Sequence, residues 1–145
     1  MTQNKSLINT LSVCIVGEPN TGKSTLINSL LKKKISITSH KAQTTIKNKL
    51  GSLIYKNNQL IFYDTPGIFN KNYKLNRAIF MQASSAIATA DIVLLIISVK
   101  DVQNKNMQDI INYIIFHNKE FIVALNKVDL ISKQNLLGYK WIILE

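Results

Sequence analysis

The chain has 145 residues, eighteen Lys and Arg against eight Asp and Glu, and a formal net charge of +10. That length supports one domain able to bury about two-thirds of its chain surface, and is too short for a second. A single cysteine, Cys14, excludes an internal disulfide and fits a reducing cytoplasm, and residues 1–10 are too polar for a secretory signal.

In chain order, residues 11–16 form an apolar run in which Val13 and Ile15 alternate with Cys14 and Val16, as in a buried strand. Directly after it stand Gly17, Glu18, Pro19, Asn20, Thr21, Gly22, Lys23 and Ser24, which fit the phosphate-loop pattern G-x-x-x-x-G-K-[ST]. Gly17 and Gly22 let the backbone wrap round an anion with its N–H groups inward, and the helix starting near Lys23 adds its positive end. Lys23 then reaches the β- and γ-phosphates, and the Ser24 hydroxyl goes to Mg²⁺. That helix carries Leu26, Ile27, Leu30 and Leu31 on one face. Residues 50–55 and 59–63 flank Asn57 and Asn58, a pair that tolerates left-handed torsions, and read as a hairpin.

The hairpin's second strand leads to Asp64, Thr65, Pro66 and Gly67. At a strand's carboxyl end Asp64 can hold a Mg²⁺-bound water, while Gly67 offers an N–H to the γ-phosphate and torsions that change when it leaves. Alone, these four residues are an ordinary turn. The phosphate loop upstream makes them a second nucleotide segment, which we extend to Ile68. Next comes a helix lined by Ile79, Ala83, Ala86, Ile87 and Ala90, then residues 92–97, too short to span a bilayer and expected as a central parallel strand. Met107, Ile110, Ile111, Ile114 and Ile115 recur at helical spacing and are expected to pack on the sheet.

A further strand, residues 121–125, delivers Asn126, Lys127, Val128 and Asp129. Asp129 selects the base. A carboxylate only accepts hydrogen bonds, and guanine offers N1–H and its 2-amino group side by side, whereas adenine offers neither there. An adenine would leave a buried acceptor unpaired at a cost of about 1–3 kcal/mol per group, which disfavours an ATP-using P-loop kinase. Asn126 is expected to tie this segment to the phosphate loop and meet N7, and the Lys127 stem to cover one base face. His40 and His117 have no metal-ligand companion at useful spacing and are expected in solvent. No internal repeat or linker-like run interrupts what reads as one doubly wound α/β domain over residues 1–145.

The charge is uneven: residues 1–72 hold ten Lys against two acids, and residues 73–145 hold eight bases against six. Lys32, Lys33, Lys34, Lys41, Lys47 and Lys49 have no acid among them and would attract rRNA phosphates or anionic lipid. Lipid would mean peripheral attachment to the inner membrane of an otherwise cytoplasmic chain. Arg77 is the only arginine, so codon bias and a solvated lysine face remain the plainer alternative.

Residues 34–45, Lys34-Ile35-Ser36-Ile37-Thr38-Ser39-His40-Lys41-Ala42-Gln43-Thr44-Thr45, follow a Gly-x-Pro-Asn-x-Gly-Lys-Ser-Thr-Leu-x-Asn segment. With these residues the chain resembles the Era family of bacterial P-loop GTPases over residues 11–129. The resemblance implies a P-loop GTPase domain with a mostly parallel sheet, probing GTP and GDP as ligands, and a first switch in which Thr44 or Thr45 binds Mg²⁺; Thr45 is our choice. Lys23, Thr45, Gly67 and Asn20 would then be the catalytic set. Ile46 stands where the family usually has Arg. Ile68 replaces the water-orienting Gln of Ras-type enzymes, and the resemblance implies a K⁺ ion, held partly by Asn20, in place of an arginine finger. Turnover near the unassisted rate of about 10⁻⁴ s⁻¹ is expected. In the family this cycle switches a KH-type RNA-binding domain during small ribosomal subunit assembly, so rRNA and the small subunit are the implied partners of a monomer. Residues 130–145 contain neither a Ser-Ala pair nor Gly-x-x-Gly. We therefore expect a truncated form, incomplete at its C-terminal end and without a KH domain, in which Trp141, Ile142, Ile143 and Leu144 make a substitute edge strand or an improvised cover. The competing class is a nucleotide-binding fragment with little or no turnover, a binding module or the product of a decaying gene.

Overall fold

A computed structural model describes residues 9–33, 49–65 and 77–144. Five strands and four α-helices follow in order: β1 (Asn9–Val16), α1 (Lys23–Lys33), β2 (Lys49–Tyr55), β3 (Asn58–Asp64), α2 (Arg77–Thr89), β4 (Ile92–Ser98), α3 (Lys105–Phe116), β5 (Phe121–Asn126) and α4 (Lys133–Leu144). The sheet order is β2-β3-β1-β4-β5. β1 pairs in parallel with β3 and β4, β5 in parallel with β4, and only β2 runs antiparallel, against β3.

The two-residue alternation of β1 divides the core. Val13 and Ile15 pack on one sheet face with Ile27 of α1, Leu53, Phe62 and Ile96. Cys14 and Val16 face the other way, into Ile87 of α2, Val93, Leu95, Ile97 and the Met107, Ile110 and Ile114 stripe of α3. Helices thus cover both faces, as buried parallel strands require. Each fully buried Ile contributes about 1.5–3 kcal/mol of transfer free energy. The stripes are narrower than their sequence periodicity: Leu30 of α1 is 37% exposed and Ile115 of α3 is 57% exposed. Each lies at the edge of its helix's apolar face, where the contact with the sheet has ended.

Three further expectations change. The hairpin turn is Lys56 and Asn57, and the left-handed residue is Lys56 (φ 53°), one place before the Asn pair. Residues 141–144 are helical, the end of α4, not an edge strand. Ser132 sets this helix going: its hydroxyl accepts from the Asn135 N–H at 3.3 Å, the N-cap arrangement, and its carbonyl accepts from Leu136 N–H at 3.1 Å. A capped start propagates one bond per residue, which outweighs the β preference of four terminal residues. His117 is half-buried instead of solvated; it closes α3, contacts Ser84 Oγ at 3.3 Å and lies edge-on to Tyr113 and Phe116. His40 lies outside the described residues.

Cys14 is fully buried, and burial, seconded by the nearby Asp64 charge, pushes its thiol up to about 12. At the amino edge of the sheet a polar latch joins β1 to the start of β4. Ser12 donates to Asp91 Oδ2 from both its N–H and its hydroxyl, each at 2.6 Å, and accepts from Asp91 N–H on its own Oγ at 3.0 Å. Those bonds hold the Asp91 carboxyl below the usual carboxylate range, the Ser12 hydroxyl contributing most. By fixing the strand offset at this edge, the latch also fixes which residues emerge at the other. None of the helices among the described residues is long and apolar enough to cross a membrane.

Candidate nucleotide-binding site

The carboxyl ends of β1, β3 and β5 open on one edge of the sheet, where ligands of open α/β folds bind. The loop between β1 and α1 is shaped by backbone that excludes side chains. Gly17 (φ 155°) and Gly22 (φ 94°) both have positive φ, and a Cβ would strike the Ile96 carbonyl oxygen at the first and the Asn126 side-chain amide at the second. Asn20 also adopts a left-handed conformation, φ 62°, in the turn that it makes with Pro19. Leu26 N–H donates to Gly22 O at 2.9 Å as α1 begins.

Lys23 curls over this loop, its Nζ donating to Gly17 O at 2.9 Å and Glu18 O at 2.7 Å. Burial lowers its pKa from the ordinary lysine value, while the charges of Asp64 and Glu18 work to raise it. An ammonium held by carbonyls alone is poised to exchange part of that solvation for a stronger anionic partner. Ser24, next on the helix, is exposed.

Asp64 ends β3 in register with Ile15 of β1. Its Oδ1 is buried with no hydrogen-bond partner. Such an orphaned acceptor is costly unless something positive meets it. The Asp64 carboxylate oxygen and the Ser24 hydroxyl are hard oxygens of the kind Mg²⁺ takes, few from protein and the rest from water or phosphate. Among the described residues no three His, Cys, Asp or Glu side chains gather into a metal cage. Thr65, by contrast, spends its hydroxyl on the sheet: it is buried and donates to Ile15 O at 2.8 Å.

The third segment is locked to the first. Asn126 Nδ2 donates to Thr21 O at 2.8 Å, and Lys127, itself left-handed at φ 59°, donates from Nζ to Asn20 O at 2.6 Å. Val128 and Asp129 follow in a single 3₁₀ turn (Val128–Leu130), both exposed. The structure therefore brings Gly17 to Ser24, Asp64, Thr65 and Asn126 to Asp129 to one edge. Thr44, Thr45, Pro66, Gly67 and Ile68 lie outside the described residues.

One participant is not foreseen from the motifs. Asn104, the N-cap of α3, accepts on its side-chain oxygen from Asn106 N–H at 3.2 Å and offers its Nδ2 to the Glu18 carboxylate at 3.4 and 3.5 Å. An Asn ahead of the Met107 periodicity is a readable helix start. Its reach to the phosphate loop is not.

A mostly parallel sheet with a side-chain-excluding phosphate loop at its carboxyl edge defines a P-loop nucleotide-binding fold. The sequence model of the family described as 50S ribosome-binding GTPase matches residues 12–127, and the chain belongs to that GTPase family. The GTPase Era of Rickettsia bellii is 41% identical over 129 residues, 89% of this chain and 44% of that protein. This chain thus spans less than half the length of the curated relatives it matches. Among solved structures, an Aquifex aeolicus Era variant bound to GDP and AlF₄⁻ aligns with a TM-score of 0.71 at 36% identity, over 93% of this chain and 46% of that one. An Era in complex with MgGDPNP and nucleotides 1506–1542 of 16S ribosomal RNA aligns at 0.72 with 37% identity, over 94% and 47%. The family and fold expected from residues 11–129 are those found.

Proposed function

We propose that this chain binds GDP and GTP with Mg²⁺ and slowly hydrolyses GTP, as an Era-like GTPase domain. The observation that carries the reading is the double clamp of Asn126 on Thr21 and Lys127 on Asn20. It fixes a base-reading segment at a set distance from a phosphate-reading loop, which a phosphate-binding turn without a nucleoside would not need. In this reading residues 17–24 cradle the phosphates, Lys23 bridges the β- and γ-phosphates, and Asp129 accepts from guanine N1–H and the 2-amino group. Ser24 and Asp64, joined by Thr45 or Thr44 when GTP is bound, hold Mg²⁺, which neutralises charge on the phosphate oxygens. Asn20 would help hold K⁺, which would supply further positive charge there. Thr65, Pro66, Gly67 and Ile68 complete the γ-phosphate side.

In the chemical step a water oxygen attacks the γ-phosphorus, the bond to the bridging oxygen breaks, and GDP and inorganic phosphate result. Ile68 has no polar atom with which to orient that water, so the rate stays near the unassisted value of about 10⁻⁴ s⁻¹. The lysines of residues 32–49 are assigned to rRNA phosphates in the small ribosomal subunit, since an Era homologue is solved with 16S rRNA. The chain would act as a cytoplasmic monomer.

Single-turnover phosphate release from GTP tests the enzyme reading. Release should be faster in KCl than in NaCl at equal ionic strength, and Asn20→Ala should erase the difference. Equal rates would remove the K⁺ role, and no release from a chain that still binds GDP would make it a binding module.

A further inference from the structure

Glu18 is the one buried side-chain carboxylate of the phosphate loop, only 9% exposed, and the nucleotide reading gives that carboxylate no task. A negative charge inside an anion-binding loop is unfavourable unless something turns it aside and holds it. Asn104 is what it meets, through its Nδ2 at 3.4 and 3.5 Å from the two carboxylate oxygens. The same Asn104 is fixed from its other end, because its Oδ1 caps α3.

The backbone of Glu18 is the hub of the loop. Its carbonyl oxygen accepts from Lys23 Nζ at 2.7 Å and from the Thr21 hydroxyl at 2.9 Å. Thr21 in turn presents its own carbonyl to Asn126. Any rotation of the Glu18 peptide therefore moves the lysine that meets phosphate and the carbonyl that holds the base-reading segment. We propose that Asn104 and Glu18 form a positioning pair: by anchoring the Glu18 side chain to the start of α3, Asn104 sets the Glu18 peptide, and through it Lys23 and Thr21, in the geometry that binds nucleotide. Asn104 touches no phosphate or base in this role; it acts through Glu18. The inference rests on the guanine-nucleotide reading above.

The test separates capping from positioning. Asn, Asp and Ser cap helices about equally, so Asn104→Asp keeps the α3 cap while replacing the donor to Glu18 with a second carboxylate. GDP affinity of Asn104→Asp should fall about tenfold, the scale expected when a buried acceptor loses its partner and meets a like charge. Adding Glu18→Gln to Asn104→Asp restores one donor and one acceptor with the roles exchanged. The combined variant should recover GDP affinity to within about twofold of wild type, the margin expected when a buried pair is again satisfied. Thermal unfolding and GDP titration are measured on all three proteins. A folded Asn104→Asp with wild-type affinity, or a combined variant no better than Asn104→Asp, overturns the pair while leaving the nucleotide reading intact. If Asn104→Asp does not fold, Asn104→Ser keeps the cap on a side chain too short to bring its hydroxyl to the Glu18 carboxylate and must also lose GDP affinity. A wild-type chain that binds no GDP overturns both the pair and the reading beneath it.

Discussion

In the proposed reading Lys23 would meet the phosphates and Asp129 the base, and each can be removed separately. Lys23→Ala deletes the lysine ammonium that belongs to the loop itself and rests on the Gly17 and Glu18 carbonyls, so GDP affinity should fall at least about tenfold by equilibrium titration. Unchanged affinity would remove the phosphate-loop assignment. Asp129→Asn exchanges one acceptor for a donor, which suits the carbonyl that xanthine carries where guanine has its 2-amino group. The variant should lose GDP and gain xanthosine diphosphate affinity, the unpaired-group penalty of about 1–3 kcal/mol moving from one ligand to the other. A constant guanine-to-xanthine ratio in a chain that still binds through Lys23 would show that Asp129 does not read the base. These residues were legible because loop chemistry demands particular types at fixed short spacing. Glu18 and Asn104 were not, because they are 86 positions apart and only the fold makes them neighbours. Burial of Cys14 was legible from its place in an apolar strand, whereas the push of its thiol to about 12 needs the packed core and Asp64.

Strands β1 and β4 are held in register at their amino edge by Ser12 and Asp91, and the latch has a pH signature. The folded-state pKa of Asp91 lies below its ordinary 3.8, so its stabilisation is complete above that value and is lost as pH falls through the lowered one. Asp91→Asn should therefore unfold at lower urea than wild type near pH 7, and the gap should narrow on acidification to about pH 2. A gap that stays constant across that range would assign the effect to hydrogen-bond geometry and not to charge. In the same elements, periodicity identified α1 and α3 but overstated how wide a stripe each buries, since Leu30 and Ile115 remain exposed. Helix contact with the sheet ends sooner than the sequence pattern does. The tail departs from its local pattern for a different reason: four apolar residues favour a strand locally, and the capping hydroxyl that decides for helix, Ser132, stands nine residues before Trp141.

Across the whole molecule, charge and fold point to different partners. The surplus of base is concentrated in residues 1–72, ten Lys against two acids, so affinity for RNA should be electrostatic in origin. Binding to a 16S rRNA fragment should be weak, indifferent to sequence and steeply reduced by salt in a filter or fluorescence assay. Salt-resistant preference for one sequence would reveal a base-reading surface. The doubly wound sheet and its mostly parallel order were legible because strand, phosphate loop and helix alternate along the chain and each buried strand is apolar on both faces. Of the clamp, in which residues 20, 21, 126 and 127 meet across the sheet edge, the motif announces the tie of Asn126 to the phosphate loop but not the hold of Lys127 on Asn20. That clamp is the central claim, and calorimetric titration of the wild-type chain with GDP and then with ADP, both with Mg²⁺, tests it most directly. One GDP should bind per chain, with ADP weaker by about 10⁴, the discrimination expected of a polar pocket left unpaired. No heat with GDP, or equal affinity for the two nucleotides, would contradict it.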